Sequence, residues 1–329
     1  MQDTTAIAHS NIALIKYWGK THQKLNIPAV DSISITLKEL YTKTSLSFSK
    51  NIKQDTLFLD GKKANEKQRK RVSNFLDLVR HKKKFDFPVE VISENNFPTG
   101  AGLASSASGF AALALGASKA AALNLSPFEL SELARQGSGS AARSICGGFV
   151  HMHRGEEKSG MDAVAEQIYD ENYWDLRMLI LVTSTKEKDI GSTKGMNLTA
   201  KTSPYYKRWI QSSVGDTGEM LNAIAKKDFE KVGELSEFSC LKMHGLAMSA
   251  NPGIIYWNDT TLKIIHKVKL LRKKGLAVFF TIDAGPQVKL LCLPSEVKKI
   301  ESEFAHMQGI IQIIHTAIGP SAHILGEIE

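Results

Sequence analysis

The segment "NFPTGAGLASSASGF", residues 96–110, sets glycines and serines directly before an alanine-rich apolar run. Gly100 and Gly102 allow the backbone to turn tightly, and a helix is predicted from Leu103 onward. The free N–H groups and the positive dipole end of such a helix suit an anion. Ser105 and Ser106 fall in the first turn, where their hydroxyls can reach a phosphate oxygen or a bound magnesium ion. The segment therefore predicts a helix start that binds an anion.

The same segment lacks the residue order of two common nucleotide-binding motifs. It has neither the G-x-x-x-x-G-K-[ST] order of a Walker loop nor a G-x-G-x-x-G run after an apolar strand. A helix of small residues packed against a sheet would also explain the alanines and glycines, although not the paired serines. Spacing alone leaves both interpretations open, so the choice depends on the rest of the chain.

Strand patterns dominate the N-terminal part of the chain. Period-two alternation predicts strands at "SISITL", "KTSLSF" and "FPVEVIS", and the Asp-Gly pair of "LFLDGKK" predicts a hairpin. Val72, Phe75, Leu76 and Val79 recur at helical spacing within a run rich in Lys and Arg. We therefore expect an amphipathic helix there, with its charged side chains facing solvent.

Helix signals follow in the middle of the chain, and strands return late. Ser126, Pro127 and Glu129 supply an N-cap, a first-turn proline and a capping-box glutamate. "SPYYKRW" repeats the Ser-Pro start at 203–204, and "DTTLKIIHKVKLLRKKG" ends on the glycine expected just past a helix. "LAVFFTID", "VKLLCL" and "IIQIIHT" are predicted strands. The pattern is mixed α+β, with a predicted division near residues 180–200.

The net charge of +8 over 329 residues suits a nucleic acid, an anionic membrane surface or a phosphorylated small molecule. The lysine runs lack interleaved aromatic residues, which favours solvent-facing surfaces over a nucleic-acid site. No apolar run approaches the ~18 residues of a membrane span, and the first residues lack the pattern of a signal peptide. We expect a cytoplasmic protein with no membrane partner. Cys146, Cys240 and Cys292 are predicted to be buried, reduced thiols because they are widely spaced and odd in number.

Three further segments collect groups suited to anions and proton transfer. "HSNIALIKYWGK" places Lys16, Tyr17 and Lys20 around a glycine, and "RQGSGSAARS" adds Arg143 to a second glycine-serine turn. Such cations, hydroxyls and N–H groups bind phosphate or carboxylate, although ordinary loops with surface cations would look the same. "FFTIDAGP" ends an apolar strand on Asp283, which is either part of an Asx turn or a general base at the edge of a site.

Six segments together resemble the mevalonate diphosphate decarboxylase family of the GHMP kinase superfamily. They occur in the order and approximate spacing of that family: "HSNIALIKYWGK", "NNFPTGAGLASSASGFAAL", "ARQGSGSAARSICGG", "STKGMNLTAKTSPYY", "WNDTT" and "DAGP". The resemblance covers nearly the whole chain. It implies a two-domain α+β GHMP kinase fold with the active-site cleft between the domains. We expect an N-terminal ATP-binding domain at 1–185, a C-terminal domain at 186–329 and a homodimer.

The resemblance also implies a reaction. The family uses ATP and magnesium to phosphorylate the tertiary 3-hydroxyl of mevalonate 5-diphosphate. Phosphate and carbon dioxide are then lost to give isopentenyl diphosphate, without an organic cofactor. The glycine-serine segment would be the ATP phosphate loop, with Ser106 near magnesium. Its predicted ATP-binding residues are Pro98, Thr99, Gly100, Ala101, Gly102, Leu103, Ala104, Ser105 and Ser106.

Other residue roles follow from the resemblance, position by position. Asp283 matches the catalytic aspartate, Lys16 the lysine beside it, and Arg143 an arginine that meets the substrate carboxylate or diphosphate. We include all three among the predicted catalytic residues. Further matches to substrate-binding positions are Tyr17, Lys20, Ser138, Gly139, Ser140, Ser192 and Met196.

One departure concerns the group at the substrate's 5-position. The family usually has Asn-Ser-Ser where "IPAVDSISITL" puts Val30 and Asp31 at the first two places. An aspartate near a diphosphate would repel it, so a relative acting on mevalonate 5-phosphate, or a kinase that stops at the 3-phosphate, stays open. A non-catalytic nucleotide-binding protein or a basic nucleic-acid-binding protein is the alternative from another class. The "HMH" at 151–153 offers two imidazoles but no apparent third metal ligand.

Overall fold

The computed structural model describes residues 3–97, 105–186 and 188–326. Helices and strands share this part of the chain, as the α+β prediction required. The strands are β1 Thr4–Ile15, β2 Lys20–His22, β3 Ile27–Pro28, β4 Ser32–Phe48, β5 Thr56–Leu59, β6 Lys62–Lys63, β7 Val89–Asn95, β8 Phe149–Met152, β9 Ala165–Tyr169, β10 Arg177–Val182, β11 Val278–Ile282, β12 Val288–Cys292, β13 Gln312–Ala317 and β14 His323–Ile324.

The α-helices fall between and after these strands. They are α1 Glu66–Lys83, α2 Ser105–Ala120, α3 Pro127–Gly137, α4 Ser192–Thr202, α5 Tyr206–Ala225, α6 Phe229–Met248, α7 Asp259–Lys273 and α8 Val297–Phe304. Two 3₁₀ segments, Gly139–Ser144 and Pro294–Glu296, complete the described elements. None of the helices in the described ranges is both long and apolar enough to cross a bilayer.

The first sheet has eight strands, with the order β14-β1-β4-β7-β5-β6 and with β8 and β9 branching from β4. Its longest strand is β4, which joins the two predicted strands "SISITL" and "KTSLSF" into one of 17 residues. β4 pairs antiparallel with β1 along one edge, while its other edge pairs first with β8 and then with β7. This long strand therefore organises the N-terminal sheet.

Helix α2 packs against this first sheet through its small residues. Ala107, Ala111 and Ala114 are completely buried, and a Cβ added at Gly116 would lie 3.1 Å from Leu46 Cδ2 on β4. Side chains this small allow the helix to approach the strands closely. Close packing thus explains these alanines and Gly116, whereas Gly109 has open space beside it, and Ser105 and Ser106 are left to another role.

The second sheet has four antiparallel strands in the order β11-β12-β10-β13. Every residue of β11 and β12 is buried, because helices and apolar side chains cover them. Helix α6 lies against β11 and also reaches β1 of the first sheet. The two sheets therefore share one helix at the ends of β1 and β11.

Most predicted local signals are confirmed, and one helix start is wrong. Asp60 and Gly61 form the predicted hairpin turn, with φ of 48° and 74°. The capping box of Ser126 and Glu129 is present at the start of α3. The helix predicted from the Ser-Pro pair at 203–204 does form, but as α5 it begins at Tyr206, so its N-cap is not Ser203. The Ser203 N–H donates to Thr199 O at 2.9 Å, which ends α4.

Candidate active site

Lys16 and Asp283 form an ion pair between the two sheets. Lys16 follows the last residue of β1, and Asp283 follows the last residue of β11. Lys16 Nζ lies 2.7 Å from Asp283 Oδ1 and also donates to Ala13 O at 2.8 Å. The lysine side chain is 1% exposed and that of the aspartate 27% exposed. The Asp283 carboxylate is therefore partly exposed, whereas the Lys16 ammonium group is buried.

The charges around Asp283 keep it ionised. Burial acts to raise the pKa of its carboxyl, but the nearby cations Lys16, Lys289 and Arg143 outweigh burial and hold the pKa below its usual value. A carboxylate in this state can accept a hydrogen bond or a proton from a bound hydroxyl. The sequence-based prediction had named Lys16 and Arg143 but had missed Lys289.

Lys289 is a buried cation, the second residue of β12, with 2% exposure. It stands opposite Thr281 of β11, and Thr281 Oγ1 donates to Ala13 O at 3.4 Å, the same carbonyl that Lys16 contacts. Burial lowers the pKa of Lys289 to about 8, although Asp283 acts in the opposite direction. The strand pattern "VKLLCL" carries no sign of this role, since it arises only when β12 pairs with β11.

Arg143 lies in the 3₁₀ segment and is 3% exposed. Its Nε donates to Asn11 Oδ1 at 3.2 Å and its Nη1 donates to Ser32 Oγ at 2.8 Å. Burial lowers its pKa to about 10, while Asp283 and Tyr17 act to raise it. Asn11 and Ser32 were missed as partners. They fix a guanidinium that remains a cation near neutral pH.

The Ser138–Ser140 turn lies against Tyr17. Ser138 and Ser140 hydroxyls are 3.3 Å apart, and a Cβ at Gly139 would lie 2.4 Å from Tyr17 Oη. Only glycine therefore fits beneath the tyrosine without displacing it. The Tyr17 hydroxyl is buried and finds no hydrogen-bond partner among the described residues.

The remaining predicted substrate-site residues lie on and near α4. Lys20 Nζ donates to Asn26 Oδ1 at 2.7 Å and to Thr193 Oγ1 at 3.2 Å. Ser192 begins α4 and accepts from Lys188 Nζ at 3.0 Å. Met196 belongs to a buried cluster with Trp18 and Val30.

Lys188 was missed as a member of this site. Its Nζ also donates to Ala284 O at 3.0 Å, directly after Asp283. Ser192 is thereby linked to the backbone beside the ion pair.

A cavity of about 730 Å³ lies beside the start of α2. Ser105 and Ser106 line it together with Lys62, Lys63 and Arg71. Arg71 lies over the Phe110 ring at 4.5 Å and donates to Gly137 O at 3.1 Å. These three cations were predicted only as parts of a turn or a solvent-facing helix surface. Other predicted ATP-binding residues lie outside the described residues: Pro98, Thr99, Gly100, Ala101, Gly102, Leu103 and Ala104.

Asp31 has its own partners at the end of β8. Its Oδ1 accepts from the backbone N–H of Arg154 at 2.7 Å, and its Oδ2 lies 3.4 Å from His151 Nε2. Burial acts to raise the pKa of Asp31, but the contacts with His151 and Arg154 outweigh it and lower the pKa. His151 therefore lies against the Asp31 carboxylate. No group of three or more His, Cys, Asp or Glu suited to a metal occurs in the described ranges.

Solved structures that align over almost the whole chain have the two-domain fold of the GHMP kinase class. One is a complex of MDDEF with MVAPP, AMPPCP and magnesium, with 39% identity, a TM-score of 0.92 and 98% of each chain covered. Another is mevalonate diphosphate decarboxylase from Enterococcus faecalis, with 39% identity, a TM-score of 0.91 and the same coverage. The fold and the paired Lys16 and Asp283 therefore define a GHMP-type protein.

Family profiles narrow this class. Residues 8–165 match a profile described as diphosphomevalonate decarboxylase-like N-terminal domain, and residues 178–323 match one described as mevalonate 5-diphosphate decarboxylase C-terminal domain. Diphosphomevalonate decarboxylase of Candida albicans is 36% identical over 351 aligned positions, which cover 97% of each chain. The chain belongs to the diphosphomevalonate decarboxylase family.

Proposed function

We propose that this protein uses ATP to convert mevalonate 5-diphosphate into isopentenyl diphosphate, ADP, phosphate and carbon dioxide. The observation that carries the proposal is the ion pair of Lys16 and Asp283, whose carboxylate stays ionised and partly exposed. The names of the relatives, and the binding of MVAPP and AMPPCP in the MDDEF complex, support the same reaction.

Asp283 is the group that orients the tertiary hydroxyl and takes its proton as the oxygen attacks the γ-phosphoryl group of ATP. Lys16 holds the carboxylate at 2.7 Å and offsets negative charge that develops during transfer. A tertiary alcohol is a poor leaving group, so its phosphorylation prepares the carbon–oxygen bond to break. The substrate carboxylate then supplies the electron pair as carbon dioxide leaves.

Arg143 is well placed to bind an anionic part of the substrate. Asn11 and Ser32 hold its Nε and Nη1, which fixes the plane of the guanidinium before a substrate arrives. Lys20, Tyr17, Ser138, Gly139, Ser140, Ser192 and Met196 complete the proposed substrate site. The ammonium of Lys20 supplies hydrogen bonds to the substrate oxygens, and the Tyr17 ring supports the turn at Gly139.

The cavity at the start of α2 is the proposed ATP site. Its hydroxyls and its three cations, Lys62, Lys63 and Arg71, fit a polyphosphate. Ser106 is exposed at the first turn of α2, and its hydroxyl is the side-chain oxygen that we propose for magnesium. A magnesium ion bound there with ATP would neutralise phosphate charge and favour transfer. The magnesium in the MDDEF complex supports this assignment.

The contacts of Asp31 leave room for a diphosphate as the 5-substituent. Its carboxylate already accepts from the Arg154 N–H at 2.7 Å and faces His151. An aspartate with these partners repels a nearby diphosphate less than a free one would. The departure from the usual family sequence at this place is therefore compatible with the diphosphate.

Three further assignments stay predictions. They are the domain boundary between residues 185 and 186, the homodimer and the cytoplasmic location. The three buried, unpaired cysteines support a reducing compartment.

Product analysis tests the proposed function. The protein, ATP and magnesium are incubated separately with mevalonate 5-diphosphate and mevalonate 5-phosphate, and carbon dioxide and phosphorylated products are measured. We expect carbon dioxide and isopentenyl diphosphate from the diphosphate. Release from the monophosphate alone would favour the relative specific for that substrate. A 3-phosphorylated product without carbon dioxide would instead identify a kinase.

A further inference from the structure

One face of helix α6 contacts the backbone beside both members of the ion pair. Ser239 Oγ accepts the backbone N–H of Lys16 at 2.9 Å. Cys240 Sγ donates to Ile282 O at 3.6 Å, and His244 Nε2 lies 3.2 Å from the same carbonyl. Ile282 directly precedes Asp283. Cys240 and His244 are four residues apart, so they point from the same side of the helix.

His244 is neutral and aimed in one direction. Burial lowers its pKa to about 3, and the side chain is 1% exposed. A neutral imidazole has one N–H, and a contact with a carbonyl oxygen requires the proton on Nε2. The ring also packs on Trp257, with the ring centroids 4.7 Å apart. The donor that reaches Ile282 is therefore held in place by its neighbours.

The other side of Asp283 is also fixed. The Gly285 N–H donates to Asp283 O at 2.7 Å and closes a tight turn. The peptide before Asp283 is thus held by α6, and the carbonyl after it by Gly285. With both peptide planes fixed, the Asp283 side chain can keep its 2.7 Å contact with Lys16.

We propose that His244 is a positioning residue, supported by Cys240, that fixes the Asp283 carboxylate against Lys16 through the carbonyl of Ile282. The expected loss of turnover rests on the proposed function. The expected change in the distance between Lys16 and Asp283 does not. His244 contacts no reacting atom. Loss of its donor would let the peptide before Asp283 rotate, and a displacement of about 1 Å at a reacting group can cost on the order of 10²-fold in rate.

The test compares variants that remove, shorten or retain the donor. H244L removes the hydrogen-bond donor but keeps a side chain of similar size. H244N places an amide donor on a shorter side chain, and H244Q places one on a side chain long enough to approach Ile282. Ser236 supplies the matched control, since it is 1% exposed on the same helix and donates only to Val232 O at 2.7 Å. S236A should therefore leave the ion pair unchanged.

We expect kcat of H244L and H244N to fall by about 10- to 100-fold, with KM for ATP within about twofold of the parent. H244Q should recover most of this loss, and S236A should match the parent. Crystal structures of H244L or H244N should show the Lys16 Nζ to Asp283 Oδ1 distance increased well beyond the parent's 2.7 Å. C240A should show a smaller loss of the same kind, because a thiol is the weaker donor.

Parental kcat in folded H244L or H244N, with the ion pair still at its parental distance, would overturn the positioning role. Equal losses in H244Q and H244L would also oppose it, since the retained donor would then make no difference. If H244L does not fold, kcat and the ion-pair distance of H244N and C240A are compared with those of the parent. Should the parent release no carbon dioxide, the proposed function fails, while the crystallographic distances still decide whether His244 positions Asp283.

Discussion

Ser138 Oγ donates to Ser106 Oγ at 3.4 Å, so the 3₁₀ turn and the first turn of α2 meet. The two glycine-serine segments are 32 residues apart in the chain. Their contact joins the proposed ATP cavity to the turn that carries Arg143. A phosphoryl group bound at α2 would therefore lie next to the substrate groups.

Replacing Ser106 by alanine should impair the use of ATP more than it impairs folding. The lost hydroxyl is exposed, whereas its interaction with a charged phosphate or magnesium ligand is worth about 1.5–3 kcal/mol. We expect kcat/KM for ATP to fall by about 10- to 150-fold, measured by steady-state kinetics.

Ser126 is the control for this prediction, because its hydroxyl caps α3 by accepting the Glu129 N–H at 3.3 Å. S126A should lower the free energy of unfolding by about 1 kcal/mol and leave ATP kinetics unchanged. Unchanged kinetics in S106A would remove Ser106 from the ATP site.

Replacing Arg143 by lysine should weaken substrate recognition. A lysine has one ammonium group and cannot make the two directed contacts with Asn11 and Ser32 while also presenting a planar fork. A loss of about 1.5–3 kcal/mol would appear as a 10- to 150-fold fall in kcat/KM for mevalonate 5-diphosphate.

Arg135 provides a matched control for R143K, since it is also buried but donates to the backbone carbonyls Leu25 O and Gly160 O. R135K should lower thermal stability with little change in KM. A parental specificity constant in R143K would mean that Arg143 only supports the fold.

Replacing Asp283 by asparagine should abolish most of the turnover. Asparagine keeps the shape of the side chain but removes the base and its charge, so carbon dioxide release should fall by about 10²–10⁴-fold. ATP binding should largely persist because its proposed cavity is a separate element. K16A should also reduce turnover.

A double-mutant cycle tests whether these two residues act as a unit. The losses in D283N and K16A should add to more than the loss in the double variant. Strict additivity would mean that the 2.7 Å contact has no kinetic role. Near-parental turnover in folded D283N would exclude Asp283 as the base.

Replacing Lys289 by methionine should stabilise the fold near neutral pH. The folded-state pKa of about 8 lies below the ordinary value of 10.5, so the folded chain disfavours the charged lysine. The unfolded chain binds more protons between these values, and parental stability therefore rises with pH across that window. The increase in the free energy of unfolding in K289M should reach up to about 3 kcal/mol below pH 8 and shrink toward pH 10.5.

Denaturant unfolding at pH 7 and pH 10 measures this difference. Lys299 is the control because its side chain is 68% exposed, so K299M should show no gain that depends on pH in this range. An equal gain for K289M at both pH values would show that packing, rather than the buried charge, is responsible.

The sequence predicted those features that depend on neighbouring residues. The capping box at Ser126 and the turn at Asp60 are local, so their residue types suffice to locate them. The family resemblance supplied Lys16, Arg143 and Asp283, because each lies within a recognisable segment. The small residues of α2 were also correctly associated with close packing.

The sequence could not predict groups that meet only through tertiary structure. Lys289 lies in an apolar strand, and only the pairing of β12 with β11 brings it toward Asp283. Arg71 is exposed on the charged face of α1, as predicted, but only the tertiary structure shows that it also borders the cavity beside Ser106. His244 has no local motif at all. Its contact with Ile282 joins residues 38 positions apart, so period and spacing carry no information about it.

The chain passes between the two sheets twice. It leaves the first sheet after β9, enters the second at β10, and returns from β13 to β14, which pairs with β1. The returning segment is tied to β4, where the Gly319 N–H donates to Thr36 O at 2.9 Å. Ile35 of β4 and Ile180 of β10 belong to one buried apolar cluster, so the two sheets also share a core. The ion pair of Lys16 and Asp283 therefore connects two sheets that two chain crossings and a common core already hold together.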